Sequence, residues 1–503
     1  MNRGVAVSYL VTRIATLGIS AAILLYAVPP LVRTGSWTAL AILLAAAAGI
    51  GYLYLTKRHV PAKYLVPGTI LLLTFQVLPV LYTFSVAFTN FGDGHRGTKQ
   101  DAILAIERES LAEVPGATDY ALTVATRDGR VVFLLVNRDT KQVQVGDAEG
   151  LSPVDDAEVG LTGKVVRAKG FEILPAGERD ADVQALAVPT ERGAIKSVGL
   201  SRAIEFEAKR KYDVSCDCII DGANRWTADG DRGYFVDGSG NNLIQGWKVN
   251  VGWANFGRVF TDPNVSSNFF ETLLWNFVFA LASVFVTFVL GMSVALALHS
   301  PKMKFKRTYR TLMILPYAMP AFAMLLVWRD MFNTDFGLLN RLFGTHIDWL
   351  GSPSGARLGL ILVNLWLGFP YMFLLTTGAL QAIPRELTEA SGIDGASPWQ
   401  SFRRVTLPLL MVALTPLLIS SFAFNFNNFN LVRFVTAGGP YAVDNNLVGK
   451  TDLLITYTYR LAFEGGSGQF GFAAAISTFI FIIVATVSAI AFRRTRAQEE
   501  VYS

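Results

Sequence analysis

Long runs of apolar residues, set apart by short charged segments, make up most of the chain. Eight runs contain no Asp, Glu, Lys, Arg or His: Ile14–Val32, Thr34–Thr56, Tyr64–Gly92, Thr272–Leu298, Thr311–Trp328, Leu358–Pro384, Val405–Val432 and Gly465–Phe492. Each approaches or exceeds the ~20 residues a helix needs to cross a bilayer core. Between the third and fourth runs the pattern changes. Strings rich in Val, Phe and Ile, such as Arg130–Val136 and Lys164–Leu174, are punctuated by turn pairs such as Asp128-Gly129, a mark of strands and hairpins. The pattern predicts an all-α polytopic membrane protein of eight transmembrane helices with an inserted mixed, mostly β extracytoplasmic domain. The expected divisions are 1–90 for three helices, 91–270 for the insertion and 271–503 for a five-helix core. The first run follows Arg3 and Arg13, as in a signal peptide. Another apolar run follows at once with no convincing cleavage site, so a retained helix is expected.

Composition agrees with a membrane chain. Hydrophobic types make up 52% of the 503 residues and charged types 17%, with mean hydropathy +0.39. Soluble domains carry about 25% charged residues, and disordered chains are far less apolar. The net charge of +5 is unevenly spread. Residues 91–270 hold 21 Lys/Arg and 27 Asp/Glu, net −6, and the remainder holds 23 and 12, net +11. A nucleic-acid surface would gather its cations on one folded domain. Here they lie between apolar runs, so the expected environment is a lipid bilayer and no nucleic acid.

Lys and Arg of short loops remain on the cytoplasmic side. With the N-terminus inside, the inner segments carry Arg3, Arg13, Lys57, Arg58, Lys63, Lys302, Lys304, Lys306, Arg307, Arg310, Arg385, Arg403, Arg404, Arg493, Arg494 and Arg496. The outer short loops carry Arg33, Arg329, Arg341, Arg357, Arg433, Lys450 and Arg460, so the count is 16 against 7. Both termini are expected in the cytoplasm and the insertion outside. Long loops translocate regardless of charge.

Several chemistries are disfavoured. Ion-coupled transporters place ionisable residues inside the membrane, and the eight runs have none. Gly449-Lys450-Thr451 lacks the Gly that a phosphate-binding loop needs five residues earlier, where Asp444 stands. Four histidines argue against a His-based metal site. Cys216 and Cys218 are one residue apart. Two reduced or weakly coupled thiols are expected rather than a metal site; a Cys-x-Cys disulfide would be a strained ring, though an outside location would permit it.

Two polar stripes break the apolar pattern at helical spacing. Asn364, Leu367, Gly368 and Tyr371 fall at i, i+3, i+4 and i+7 in the sixth run, and Ser421, Phe424, Asn425 and Asn428 repeat that spacing in the seventh. Neutral donors and acceptors beside aromatic rings suit a sugar's hydroxyls and apolar ring faces. The same residues suit interhelical hydrogen bonding and close approach. Pro316, Pro320, Pro370 and Pro416 lie in these runs and are expected to kink their helices, for packing or as hinges.

After the sixth run, Pro384 and Glu386 predict a helix start and Asp394-Gly395 its end. Ser397-Pro398-Trp399-Gln400 predicts a second start with a capping box. Two short helices joined at Gly395 would leave Ile393, Trp399 and Phe402 for docking, or for packing on the chain's own helices.

The run Glu389-Ala390-Ser391-Gly392-Ile393-Asp394-Gly395-Ala396, continuing through Phe402 to Leu407-Pro408, resembles the EAA signature of ABC-importer permeases, with Ser391 in place of the second Ala. The resemblance implies an ABC type I importer permease fold, with the loop at about 383–408 entering a cleft of an ATP-hydrolysing subunit. Glu389 would be the polar anchor and Ala390, Ser391, Gly395 and Phe402 would share the coupling surface. The eight runs, the large insertion after the third, and the segment Ser421–Asn430 resemble the F-type subunits of maltose/maltodextrin importers. So do Gly246-Trp247-Lys248-Val249, Arg258-Val259-Phe260-Thr261-Asp262, Tyr457-Thr458-Tyr459-Arg460 and Ala462-Phe463-Glu464-Gly465-Gly466. That resemblance implies that Asn364, Leu367, Gly368, Tyr371, Ser421, Phe424, Asn425 and Asn428 line a maltose site halfway across the inner membrane. It also implies a G-type permease partner, two ATPase copies and an extracytoplasmic maltose-binding protein, with no cofactor, no metal and no catalysis in this chain. A permease for trehalose or another glycoside is the near alternative. A membrane receptor or assembly protein is the distant one, and has no need of an ATPase socket.

Overall fold

The computed structural model describes residues 3–502 apart from 34, 57–59, 114–115, 155, 176–177, 179, 191–192, 301–302, 444 and 465–467. Thr34, Lys57, Arg58, Lys302, Asp444, Gly465 and Gly466, used above, lie outside the described residues. The chain divides into two compact units, one up to Ser85 and one from Val86 onward.

The first unit is a set of apolar helices. α1 is Arg3–Arg33, α2 Trp37–Leu55 and α3 Val60–Leu72, which passes through a π-helical turn, Leu73–Val77, into α4, Leu78–Ala87. Leu25, Tyr26, Ile42 and Phe75 are exposed, an outward-facing apolar surface that fits lipid rather than water. Lys63, expected in a connecting loop, is instead buried inside α3. Its Nζ donates to the Thr56 carbonyl, which partners the charge, and the Tyr54 hydroxyl donates to the Lys63 carbonyl.

The second unit opens with the insertion. α5, Lys99–Glu109, starts with a capping box formed by Thr98 and Asp101. A nine-stranded antiparallel sheet is built around the hairpin Asp119–Arg127 and Arg130–Asn137. Asp128 and Gly129 both take positive φ, 53° and 76°, the two-residue turn that matches strand twist. One face of the sheet packs Leu122, Phe133, Leu135 and Ile195, and the other packs Ala125, Val132, Leu134 and Val145. Burial on both faces explains why this strand reads as a continuous apolar string. α6, Asp180–Ala185, lies in the same part of the chain. A four-stranded sheet follows, from Arg210–Asp213 to Tyr234–Val236.

Cys216 and Cys218 form the disulfide that the sequence leaves open, rather than two reduced thiols. Asp217 between them takes φ 48°, which turns the chain back on itself. The Asp217 carboxylate accepts from Lys99 and from the Tyr212 hydroxyl. Those two bonds, Lys99 first, hold its carboxyl below the usual range.

The core holds α7, Ala254–Thr261, and α8, Pro263–His299. α8 therefore starts inside the span assigned above to the insertion. Asp262 caps it and Pro263 opens it, so its first turns are polar and carry no apolar signal. α9, Lys306–Ile314, leads through a 3₁₀ turn, Leu315–Ala318, to α10, Ala321–Met331, bent by 89°. The expected single helix over Thr311–Trp328 is thus a broken pair. Met319 is extended, as a residue before proline favours, and Pro320 sits at the N-cap of α10. Pro316 and Pro320 lie at this break rather than inside helices, while Pro370 and Pro416 do lie inside theirs.

α11, Leu338–Phe343, precedes α12, Pro353–Ala382. Then come α13, Arg385–Ile393, and α14, Pro398–Ser401, which runs through a π turn, Phe402–Thr406, into α15, Leu407–Phe426. α16 is Phe429–Val435, α17 Leu454–Phe463 and α18 Phe470–Tyr502. Among the described residues seven helices are long and apolar enough to cross a membrane, or eight with the bent pair as one span. α8 and α12 pack closely: a Cβ at Gly291 would lie 2.7 Å from the Cβ of Met372.

Candidate functional site

α8, the bent α9–α10 pair, α12 and α15 surround a cavity of about 490 Å³. α12 contributes Asn364, Leu367, Gly368 and Tyr371, and α15 contributes Ser421, Phe424 and Asn425. Asn428 also lines it, but not as the next turn of α15. That helix stops at Phe426, and Asn428 caps α16, accepting from the Leu431 N–H at 3.3 Å. All eight residues singled out from the sequence therefore border one space.

The amides are interlinked. Asn364 donates to Asn425 Oδ1 at 2.9 Å, Asn428 donates to Asn364 Oδ1 at 3.3 Å, and Asn425 donates to the Ser421 carbonyl at 2.9 Å. Asn364, Ser421 and Asn425 are nearly buried, whereas the Phe424 ring is 70% exposed. Chemically this is a neutral, hydroxyl-matching wall with a free aromatic face beside it. Gly368 is the gap in the wall: a Cβ there would stand 2.9 Å from Thr287 Cγ2.

Sequence reasoning missed part of the lining. Thr287 comes from α8, Tyr317 and Met319 from the helix break, and Ser420 and Asn430 from the seventh run. Asn430 lay in the same asparagine-rich string, and Pro316 and Pro320 flanked the break. Thr287 gave no such sign, being a single threonine inside an apolar run; its Oγ1 donates to the Ser283 carbonyl at 2.7 Å.

Residues 287–496 match the family described as "Binding-protein-dependent transport system inner membrane component", and residues 70–149 match "N-terminal of TM subunit in PBP-dependent ABC transporters". The maltose/maltodextrin transport system permease protein MalF of Klebsiella aerogenes is 35% identical over 472 residues, covering 88% of this chain and 89% of that protein. MalF of Escherichia coli strain K12 is 35% identical over 490 residues, covering 91% of each. The chain belongs to this family of inner-membrane permeases. Among solved structures, a bacterial ABC transporter involved in import of the acidic polysaccharide alginate aligns with TM-score 0.43 and 19% identity, over 49% of this chain and 84% of that one.

The permease presents a second built feature between α12 and α15. α13 starts after Pro384, one residue later than expected, and ends at Ile393 with Asp394 as its C-cap. Gly395 takes φ 83° and reverses the chain. Ser397 and Gln400 form the expected capping box. The second short helix is not separate, because the π turn joins it to α15. Ser391 and Ser401 hydroxyls meet at 2.7 Å and hold the two limbs together. Glu389 and Ala390 are exposed, and Phe402 stacks near Trp399 at 5.4 Å between ring centres. Ile393 is 87% exposed and Trp399 67% exposed.

The permease's segment from Thr436 through α17 is fastened by a buried ion pair. Arg460 Nη1 donates to Asp452 Oδ2 at 2.5 Å, and Arg460 Nη2 donates to the Ala437 carbonyl. Burial, reinforced by the Asp452 charge, pushes the nearby Tyr441 hydroxyl up to about 12. Lys450, of the rejected phosphate-loop string, pairs with Glu271 at 2.6 Å.

Proposed function

We propose that this permease is a pore-forming subunit of an ATP-driven importer for maltose and maltodextrins, and that the cavity between α12 and α15 is its sugar site. The carrying observation is convergence. Two stripes about sixty residues apart in sequence come together as one neutral polar wall with an aromatic face. A cavity of about 490 Å³ lies in the usual range for small-ligand sites. The substrate class rests on the MalF relatives.

In this reading the helices divide as 1–90, an outside domain at 91–270 and a core at 271–503. Both termini and the α13 limb face the cytoplasm, as the excess of Lys and Arg there supports. A G-type permease completes the pore, two ATPase copies bind beneath, and a sugar-binding protein docks outside. The α13 limb, with Glu389, Ala390, Ser391, Gly395 and Phe402, enters one ATPase. Its exposed Ile393 and Trp399 support a docking role, since a monomer gains nothing from displaying them. ATP-driven closure would shift the helices between two states that expose the cavity to opposite sides.

One observation favours the rival reading, in which the stripes only join helices: the Asn364–Asn425 bond is such a link. Asn425→Ala decides between them. As a sugar-site change it lowers uptake by roughly tenfold, the worth of one hydrogen bond, with normal amounts of assembled complex. Unchanged uptake would leave only the helix-joining role.

A further inference from the structure

Asn276 stands in the middle of apolar α8 and is completely buried. Its side chain makes two hydrogen bonds, each to backbone distant in the chain. Nδ2 donates to the Phe426 carbonyl at 2.9 Å, and Oδ1 accepts from the Leu454 N–H at 2.8 Å. Phe426 is the last residue of α15 and Leu454 the first of α17. Helix ends leave such carbonyls and N–H groups without a partner in their own helix. A buried amide is costly unless satisfied, and here both of its ends are. One side chain therefore joins the end of one helix, the start of another and the body of a third.

The Phe426 carbonyl lies between two cavity residues in sequence. Asn425 precedes it and Asn428 follows two residues later, and both hydrogen-bond Asn364 in the cavity wall. Asn276 does not border the cavity. Its effect on the site passes through the backbone, where the Phe426 carbonyl marks the point at which α15 stops. The adjacent Trp275 fastens the same region, its Nε1 donating to the Thr451 carbonyl at 3.3 Å. We infer that Asn276 is a positioning residue of the sugar site: by holding Phe426 and Leu454 together, it sets the break in α15 that aims Asn425 and Asn428 at the cavity. This rests on the sugar-site reading above.

The test uses the whole importer, with its partner subunits and binding protein, reconstituted in proteoliposomes. Asn276→Leu removes both bonds. Asn276→Asp keeps the acceptor for Leu454 and loses the donor to Phe426. Ser283→Ala, a buried hydroxyl of α8 whose Oγ has no hydrogen-bond partner, controls for general disturbance of the helix. The expected result is a fall of about tenfold in sugar transported per ATP hydrolysed for both Asn276 variants. Binding-protein-stimulated ATP hydrolysis per assembled complex should stay within about twofold of the parent, and Ser283→Ala should keep the parent's ratio. A merely structural residue would lower transport and hydrolysis together, in step with the amount of complex. That result, unchanged uptake, or failure of both variants to assemble would overturn the inference. Asn425→Ala run in parallel separates the two readings. If it keeps full uptake, the sugar site itself is wrong. If it loses uptake while both Asn276 variants keep theirs, only the positioning role is wrong.

Discussion

Asp452 is almost fully enclosed, and its carboxylate is answered by Arg460, itself 10% exposed at the side chain. Removing one partner leaves an uncompensated buried charge, which costs about 3–5 kcal/mol. Arg460→Met should therefore lower the melting temperature of the purified complex markedly, and the double change Arg460→Met with Asp452→Leu should recover much of the loss. Equal destabilisation by single and double variants would show that the pair is not a closed unit. Nothing in the local sequence announced this contact, because two charges eight residues apart between two apolar runs look like ordinary solvated side chains. Ser397 and Gln400 behaved differently. A capping box is made by residues three apart, so its chemistry is readable wherever the string occurs.

At the scale of elements, the α13 limb depends on the reversal at Gly395, whose φ of 83° is one that side chains with a Cβ rarely adopt. Gly395→Val should cost about 2 kcal/mol locally and displace α13 from α14. The expected outcome is reduced co-purification of the ATPase with helix content unchanged by circular dichroism. Full co-purification would show that the limb tolerates reorientation. Helix existence was legible here and in the apolar runs, because each follows from hydropathy and end signals over a short window. The break between α9 and α10 was only half legible. Pro316 and Pro320 marked where bonds would be lost, but the 89° bend is set by what the two limbs pack against. The end of α15 at Phe426 was illegible, since the i, i+3, i+4, i+7 spacing of Ser421, Phe424, Asn425 and Asn428 continues past it.

For the whole molecule, the chain as proposed is a conduit that borrows its motion, so the proposed ATPase anchor should be separable from the proposed passage. Glu389 is exposed on α13. Glu389→Lys should uncouple the importer, with ATPase retention and sugar uptake both falling while the permease still inserts in the membrane. Normal uptake with normal retention would remove the anchor role. The membrane spans, the β insertion, the capped limb and the residue types of the site follow from the order of amino acids, because transfer into lipid, helix capping and turn formation are local events. The shared wall of Asn364 and Asn425, the Lys99–Asp217 ion pair, and the reach of Asn276 to Phe426 and Leu454 arise only on folding. Each depends on the distance between segments far apart in the chain, and that distance is set by packing rather than by any local pattern.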